Sequence, residues 1–214
     1  MWLILELSTP QASIALLDEQ AQGIAEDSWN EPYARHSDVF ERTHRLLETA
    51  GCTWNALTGV AAGRGPGAFS GLRIGLLAAQ GFAAPGKLPV IAVSSAEAMA
   101  RAWLNSRGVP EVLVVGDARR DHLWAGRVSA NAPLTPPVEW TLYPRHTLAG
   151  LPHDLPVISP HPQTLGNLPF PLESVHPTAT STGKLALEVF RKNLALQPCT
   201  PIYLHPAVAS PPPS

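Results

Sequence analysis

Three apolar runs stand so close together at the start of the chain that no helix fits between them. Trp2 to Leu7, Ala12 to Leu17 and the weaker Gly23 to Trp29 read as strands, and the turn at Ser8-Thr9-Pro10 separates the first two. Connections this short predict antiparallel neighbours. The pattern then changes period. Val39, Phe40, Thr43, Leu46, Leu47 and Ala50 follow helical spacing and predict a helix over 37–50, with Ser37 as cap, Asp38 at the positive end, Gly51 as stop and Glu41 paired with Arg45. A strand over 57–62, a glycine-rich loop over 63–71, a helix over 70–84 and a strand over 88–93 follow. Ser94 and Glu97 predict a capping box. The helix it opens has Ala96, Met99, Ala100 and Trp103 on its apolar face and ends before Gly108 and Pro110.

The order β-β-β-α-β-α-β-α predicts an α/β fold, a mixed sheet covered by helices. No G-x-G-x-x-G follows the first strand, so a doubly wound dinucleotide fold is excluded. The order matches a ribonuclease-H-like half-domain of the actin, hexokinase and chaperone-ATPase superfamily. A second copy begins near Glu111, with strands over 112–118, 122–128, 139–142 and 157–159. It ends in a helix over 182–196 carrying Leu185, Val189, Phe190 and a Glu188–Lys192 pair. Of 23 prolines, 17 lie after residue 130, which predicts an irregular, reduced second half. The expected division is 1–108, 109–205 and a Pro-rich tail over 206–214.

Composition narrows the function classes. With 45% hydrophobic and 15% charged residues, the 214-residue chain is no disordered protein. A net charge of −2 supplies no basic face, so a role on nucleic acid has to be shared with a partner. Cys52 and Cys199 cannot build a disulfide framework, which suits a reducing cytosol. The first residues lack a basic leader region, and the apolar stretch 72–84 is broken by Arg73 and Gln80, so a cytoplasmic protein without a membrane span is expected.

The glycine loop admits two readings. Gly65-Pro66-Gly67 enforces a tight turn and Gly71 allows close backbone approach. The helix start after it offers N–H groups to an anion, yet no Gly-Lys-Ser/Thr follows, so it is no Walker A loop. A tightly packed connector is the simpler account. In the helix beyond it, Gly71, Gly75 and Ala79 form a smooth stripe, and Leu72, Ile74, Leu76, Leu77 and Phe82 fill much of the rest. Such a helix is buried on most sides. One face covers the sheet. The other needs a second helix, either the one over 37–50 or one from another chain.

Five strings carry a resemblance: Glu6-Leu7-Ser8-Thr9-Pro10; Arg35-His36-Ser37-Asp38; Gly63 through Gly75; Val93-Ser94-Ser95-Ala96-Glu97-Ala98; and Asp117-Ala118-Arg119-Arg120. In that order they resemble the TsaB (YeaZ) family of the bacterial machinery that makes threonylcarbamoyladenosine in tRNA. The motifs cover residues 1–128, with a trace at Pro201-Ile202-Tyr203-Leu204. The resemblance implies a non-catalytic subunit with no cofactor of its own. It implies binding to the catalytic paralogue TsaD through the first two long helices, with the ATPase TsaE joining the pair and tRNA met only in the complex. Carried onto this chain, the partner surface is Phe40, His44, Leu47, Leu72, Gly75, Leu76 and Ala79, and the glycine loop is marked by Gly65, Gly67, Ser70 and Gly71. A charge at Leu76 or Phe40 is expected to abolish docking in a folded chain, and the same helices can pair two copies when the chain is alone.

Two other classes stand beside this reading. A metal-dependent peptidase needs the His-x-x-x-His pair that TsaD carries at the third strand-to-helix corner; here Ser95 and Met99 hold those places. The histidines are scattered at 36, 44, 122, 146, 153, 161, 176 and 205. A small-molecule kinase needs a cleft carboxylate, for which Glu6 and Asp117 are the candidates at strand ends. The family pattern has Asp-Thr-Ser where this chain has Glu6-Leu7-Ser8, and Ala68 and Ser70 replace the common Ser and Thr. Asp117, Arg119 and Arg120 read as a salt-bridged hairpin.

Overall fold

A computed structural model describes residues 1–30, 38–150, 154–166 and 170–205. Arg35, His36, Ser37, His153 and the tail over 206–214 lie outside the described residues. In the first half, β1 (Trp2–Glu6), β2 (Gln11–Leu17) and β3 (Gly23–Asn30) meander. They precede α1 (Val39–Thr49), β4 (Gly59–Gly63), α2 (Phe69–Ala83), β5 (Val90–Val93) and α3 (Ser95–Arg107). The sheet runs β3-β2-β1-β4-β5, with β1–β2 and β2–β3 antiparallel and β1–β4 and β4–β5 parallel. β1 is central and wholly buried, which is why Trp2 to Leu5 reads as an apolar run before Glu6.

The second half repeats this order. It comprises β6 (Glu111–Arg119), β7 (His122–Ser129), β8 (Thr141–Pro144), β9 (Val157–Ser159), α4 (Pro162–Leu165), β10 (Glu173–Ser174) and α5 (Ala179–Arg191). Its sheet runs β8-β7-β6-β9-β10, with β9 parallel to β6 and to β10. The fold is two ribonuclease-H-like halves, the second reduced. A 3-10 stretch at Arg145–Gly150 and the single turn of α4 stand where the first half has α1 and α2.

The last helix of each half packs on the other half's sheet. α1 and α2 cover one face of the first sheet, burying Leu3, Leu5, Ile14, Leu47, Val60 and Leu76 together. α5 covers the opposite face, where Trp2, Ile4, Leu17, Ile91, Leu185 and Leu187 meet. Gly183 brings α5 so close that a Cβ there would lie 2.4 Å from the Leu17 side chain. α3 lies on the second sheet, burying Met99 and Leu104 against Val112, Val114 and Trp124. Trp140 ties the halves, donating from Nε1 to Ser94 Oγ at 3.1 Å and meeting Trp124 edge to face at 5.3 Å. Among the described residues no helix is long and apolar enough to cross a membrane.

Several boundaries differ from expectation for local reasons. β5 starts at Val90 because Pro89 has no N–H for the ladder. β4 starts at Gly59, where any Cβ would lie 2.4 Å from the Trp2 ring. The Ser94 box is half made: Ser94 accepts from the Glu97 N–H, while the Glu97 carboxylate turns to Arg101 at 2.9 Å. α5 opens at Ala179 rather than Thr182, because Thr178 and Ser181 form a full capping box, and it ends at Arg191. The third strand of the second half begins at Thr141, since Trp140 turns inward to Ser94.

Candidate docking face and the glycine loop

α1 and α2 each have one sealed side and one open side. On α1, Val39, Thr43, Leu46 and Leu47 are buried, and Phe40, Glu41, His44, Arg45 and Glu48 face outward. Glu41–Arg45 at 3.0 Å and His44–Glu48 at 3.2 Å are exposed pairs of little energetic weight. On α2, Leu72, Gly75, Leu76, Ala78, Ala79 and Ala83 are buried, and Phe69, Arg73, Leu77 and Gln80 face outward. Five of the seven expected surface residues therefore belong to the chain's own core: Leu47, Leu72, Gly75, Leu76 and Ala79. The physical reason lies in the small stripe. A Cβ on Gly71 would lie 2.0 Å from the Leu7 carbonyl oxygen, and one on Gly75 would lie 3.6 Å from the Leu7 side chain. The stripe seats α2 against the end of β1.

Among these charged and polar side chains the open side also carries large aromatic and apolar ones. Phe40 is 58% exposed, Phe69 56% and Leu77 66%. Phe82 is half-buried between Phe40, at a centroid distance of 5.2 Å, and Trp54, at 5.1 Å. Arg73 lies over the Phe69 ring at 5.0 Å. Tyr203 meets Phe69 with ring centroids 5.7 Å apart. Of the residues expected at the surface, Phe40 and His44 are exposed; Phe69, Leu77, Trp54 and Tyr203 are exposed as well and lie outside that expectation. Position 77 is the signal that was available, since it lies off the 71–75–79 stripe on the far side of the helix.

Tyr203 is held there by a C-terminal strap. Arg64 donates from Nε to the Thr200 carbonyl at 3.0 Å and from Nη1 to Gln197 Oε1 at 3.2 Å. Ile202 N–H donates to the Arg64 carbonyl at 2.8 Å.

The glycine loop is a packed connector. Gly65 N–H donates to Ser95 Oγ at 3.1 Å, while its carbonyl accepts from Ser94 Oγ at 3.0 Å and from Ser95 N–H at 2.9 Å. Ala68 N–H donates to the Ser8 carbonyl at 2.7 Å. A Cβ on Gly67 would lie 2.2 Å from the Ser8 carbonyl oxygen, and Gly65 has φ +92°, so glycine is required at both. Ser70 is exposed on the first turn of α2.

The strand-end carboxylates differ in setting. Glu6 is fully buried, accepting from the Ser8 N–H at 2.9 Å and from the Thr182 hydroxyl at 2.6 Å. Burial raises its carboxyl above the usual range, against the opposing pull of these hydrogen bonds. Asp117 pairs with Arg145 at 3.2 Å and Arg119 at 3.6 Å, so Arg145 rather than Arg120 completes the hairpin's ion pairs. Ser95 and Met99 are both buried. Among the described residues no three His, Cys, Asp or Glu side chains gather as a metal site would need. His161 is buried, and its imidazole is lowered to about 4 by burial first and then by His176 and Arg119, while Asp117 pulls the other way.

The family model described as TsaD, tRNA N6-adenosine threonylcarbamoyltransferase, matches residues 34–132. The protein called tRNA threonylcarbamoyladenosine biosynthesis protein TsaB in Escherichia coli (strain K12) is 32% identical over 123 residues, which are 52% of this chain and 53% of that protein. The protein of the same name in Haemophilus influenzae is 31% identical over 135 residues, 59% of this chain and 52% of that protein. The chain spans about half the length of these curated relatives. Among solved structures, YeaZ from Pseudomonas aeruginosa superposes with a TM-score of 0.76 at 25% identity, covering 95% of this chain and 99% of that one. Over about half its length in sequence, and over 95% of it in fold, the chain is similar to proteins named TsaB or YeaZ.

Proposed function

We propose that this chain is a non-catalytic subunit in the formation of threonylcarbamoyladenosine in tRNA, and that it docks a TsaD-type transferase through the outer face of α1 and α2. The names of its relatives and the TsaD-family match support the pathway. One observation carries the docking role: Phe40, Phe69 and Leu77 are each more than half exposed on two helices whose other sides are sealed into the core. Large apolar side chains gathered this way mark an interaction surface. In this reading tRNA is met only in the complex, as the net charge of −2 suits, and TsaE joins the docked pair in the cytoplasm. Catalysis belongs to the partner. Ser95 and Met99, where a metal peptidase has histidines, are spent on loop and core packing.

The test is co-purification with a TsaD-type partner, followed by a tRNA threonylcarbamoylation assay with and without this chain. The expected outcome is a stable heterodimer, modification that depends on the chain, and no turnover by the chain alone. No complex, or turnover by the isolated chain, overturns the reading.

A further inference from the structure

The fold superfamily places a metal-bound nucleotide between the two halves, beside the end of the first strand, where its members hold an Asp. The residues of this chain do not fit that group. Glu6 has no exposed surface, and one oxygen accepts from the Ser8 N–H while the other accepts from the Thr182 hydroxyl. The carboxylate lies against Gly63, where a Cβ would be 2.0 Å from Oε2. A missing side chain on β4 thus makes the room that the extra methylene of Glu fills. The Ser95 hydroxyl lies beside it and holds the glycine loop through the Gly65 N–H. Its neighbours Ser8, Gly63, Ser95 and Thr182 are all uncharged.

We propose that Glu6 is an internal latch: it takes the place of the metal-bound phosphates and ties β1 of the first half to α5, the helix that returns from the second half. Thr182 lies on the first turns of α5, and the same helix start is fixed by Ala179 N–H donating to Ser13 Oγ at 2.8 Å. The Glu6–Thr182 bond spans 176 residues of chain. It therefore holds the halves together without a ligand, which a shorter Asp at position 6 cannot do, because it falls one methylene short of Thr182.

The test is a double-mutant cycle on the full chain with Glu6→Asp, Thr182→Val and the double variant. Thermal unfolding is followed with and without Mg-ATP, together with amide exchange over the first turns of α5. Each single variant is expected to lower Tm by roughly 4–8 °C and to speed exchange at the α5 start. The double variant falls no further than the worse single one, since both remove the same bond. Mg-ATP leaves the wild-type Tm unchanged. A Tm raised by Mg-ATP, additive losses, or a Thr182→Val protein with wild-type Tm and exchange each overturns the proposal. If Glu6→Asp does not fold, Thr182→Val, which exchanges the hydroxyl for a methyl of similar size, decides alone.

Discussion

Phe40 on α1 and Phe82 on α2 meet edge to face, with ring centroids 5.2 Å apart and planes at 63°. The contact fixes the spacing of the two helices on their outer side while leaving Phe40 open to solvent. A ring that is both braced and exposed is a good anchor for a partner, since little entropy is lost when it is covered. Replacing Phe40 with Asp is expected to cost about 1 kcal/mol of stability and to weaken partner binding by tenfold or more. Leu77→Asp, which touches less of the chain's own core, loses binding with stability within about 0.5 kcal/mol of wild type. Titration against the partner, with denaturation of each variant, checks both. Normal affinity in the two folded variants removes the docking face.

A charge at Leu76 behaves differently from one at Phe40. Leu76 is 2% exposed and belongs to the core under α1 and α2. Leu76→Asp buries an unpaired carboxylate and is expected to cost more than about 4 kcal/mol, so the soluble yield falls before any interface is tested. A folded, monodisperse Leu76→Asp protein would contradict the assignment of that side of α2 to the interior.

Gly71→Ala tests the seat of α2 on β1. Its Cβ would stand 2.0 Å from the Leu7 carbonyl oxygen, and backbone cannot swing away as a side-chain tip can. A loss of several kcal/mol is expected from urea unfolding. Gly81→Ala, where nothing lies within 4 Å, serves as the control and gains slightly from helix propensity, by about 0.5–1 kcal/mol.

Acid should weaken the second half through His161. Its folded value near 4 lies below the 6.5 of an exposed histidine, so between these values the unfolded chain binds protons that the folded chain refuses. The contribution is complete above pH 6.5 and is lost as pH falls towards 4, on the order of 3 kcal/mol. His176 is lowered by burial and acts in the same direction. Glu6, whose carboxyl is raised, runs opposite: its share is present below 4.5 and declines as pH rises through its folded value. Denaturation curves from pH 7 to pH 4 should therefore be flatter for His161→Asn than for wild type. Equal slopes in the two proteins assign the acid sensitivity elsewhere.

The first half was legible because its elements are long and each carries its own period. The antiparallel meander of its first three strands follows from their short links. The second half was harder to read because β10 has only two residues and α4 only four, too few to show any period. The start of α5 was misplaced because its capping box uses Ser181 where Glu or Gln is the usual signal. Leu47, Leu72, Gly75, Leu76 and Ala79 were expected at the surface and are buried, and the sequence did not show this because α2 is apolar nearly all round. Periodicity places Gly71, Gly75 and Ala79 on one side but cannot say whether Leu7 or a foreign helix lies against it. Nothing local in Glu6 announces Thr182 as its partner.

The exchange of terminal helices has a consequence for dissection. Cutting the chain after Arg107 strips α5 from the first sheet and leaves Trp2, Ile4 and Ile91 facing water, while α3 keeps an apolar flank that has lost its sheet. Neither fragment retains a closed interior. The two pieces are expected to precipitate when expressed apart and to regain solubility when expressed together.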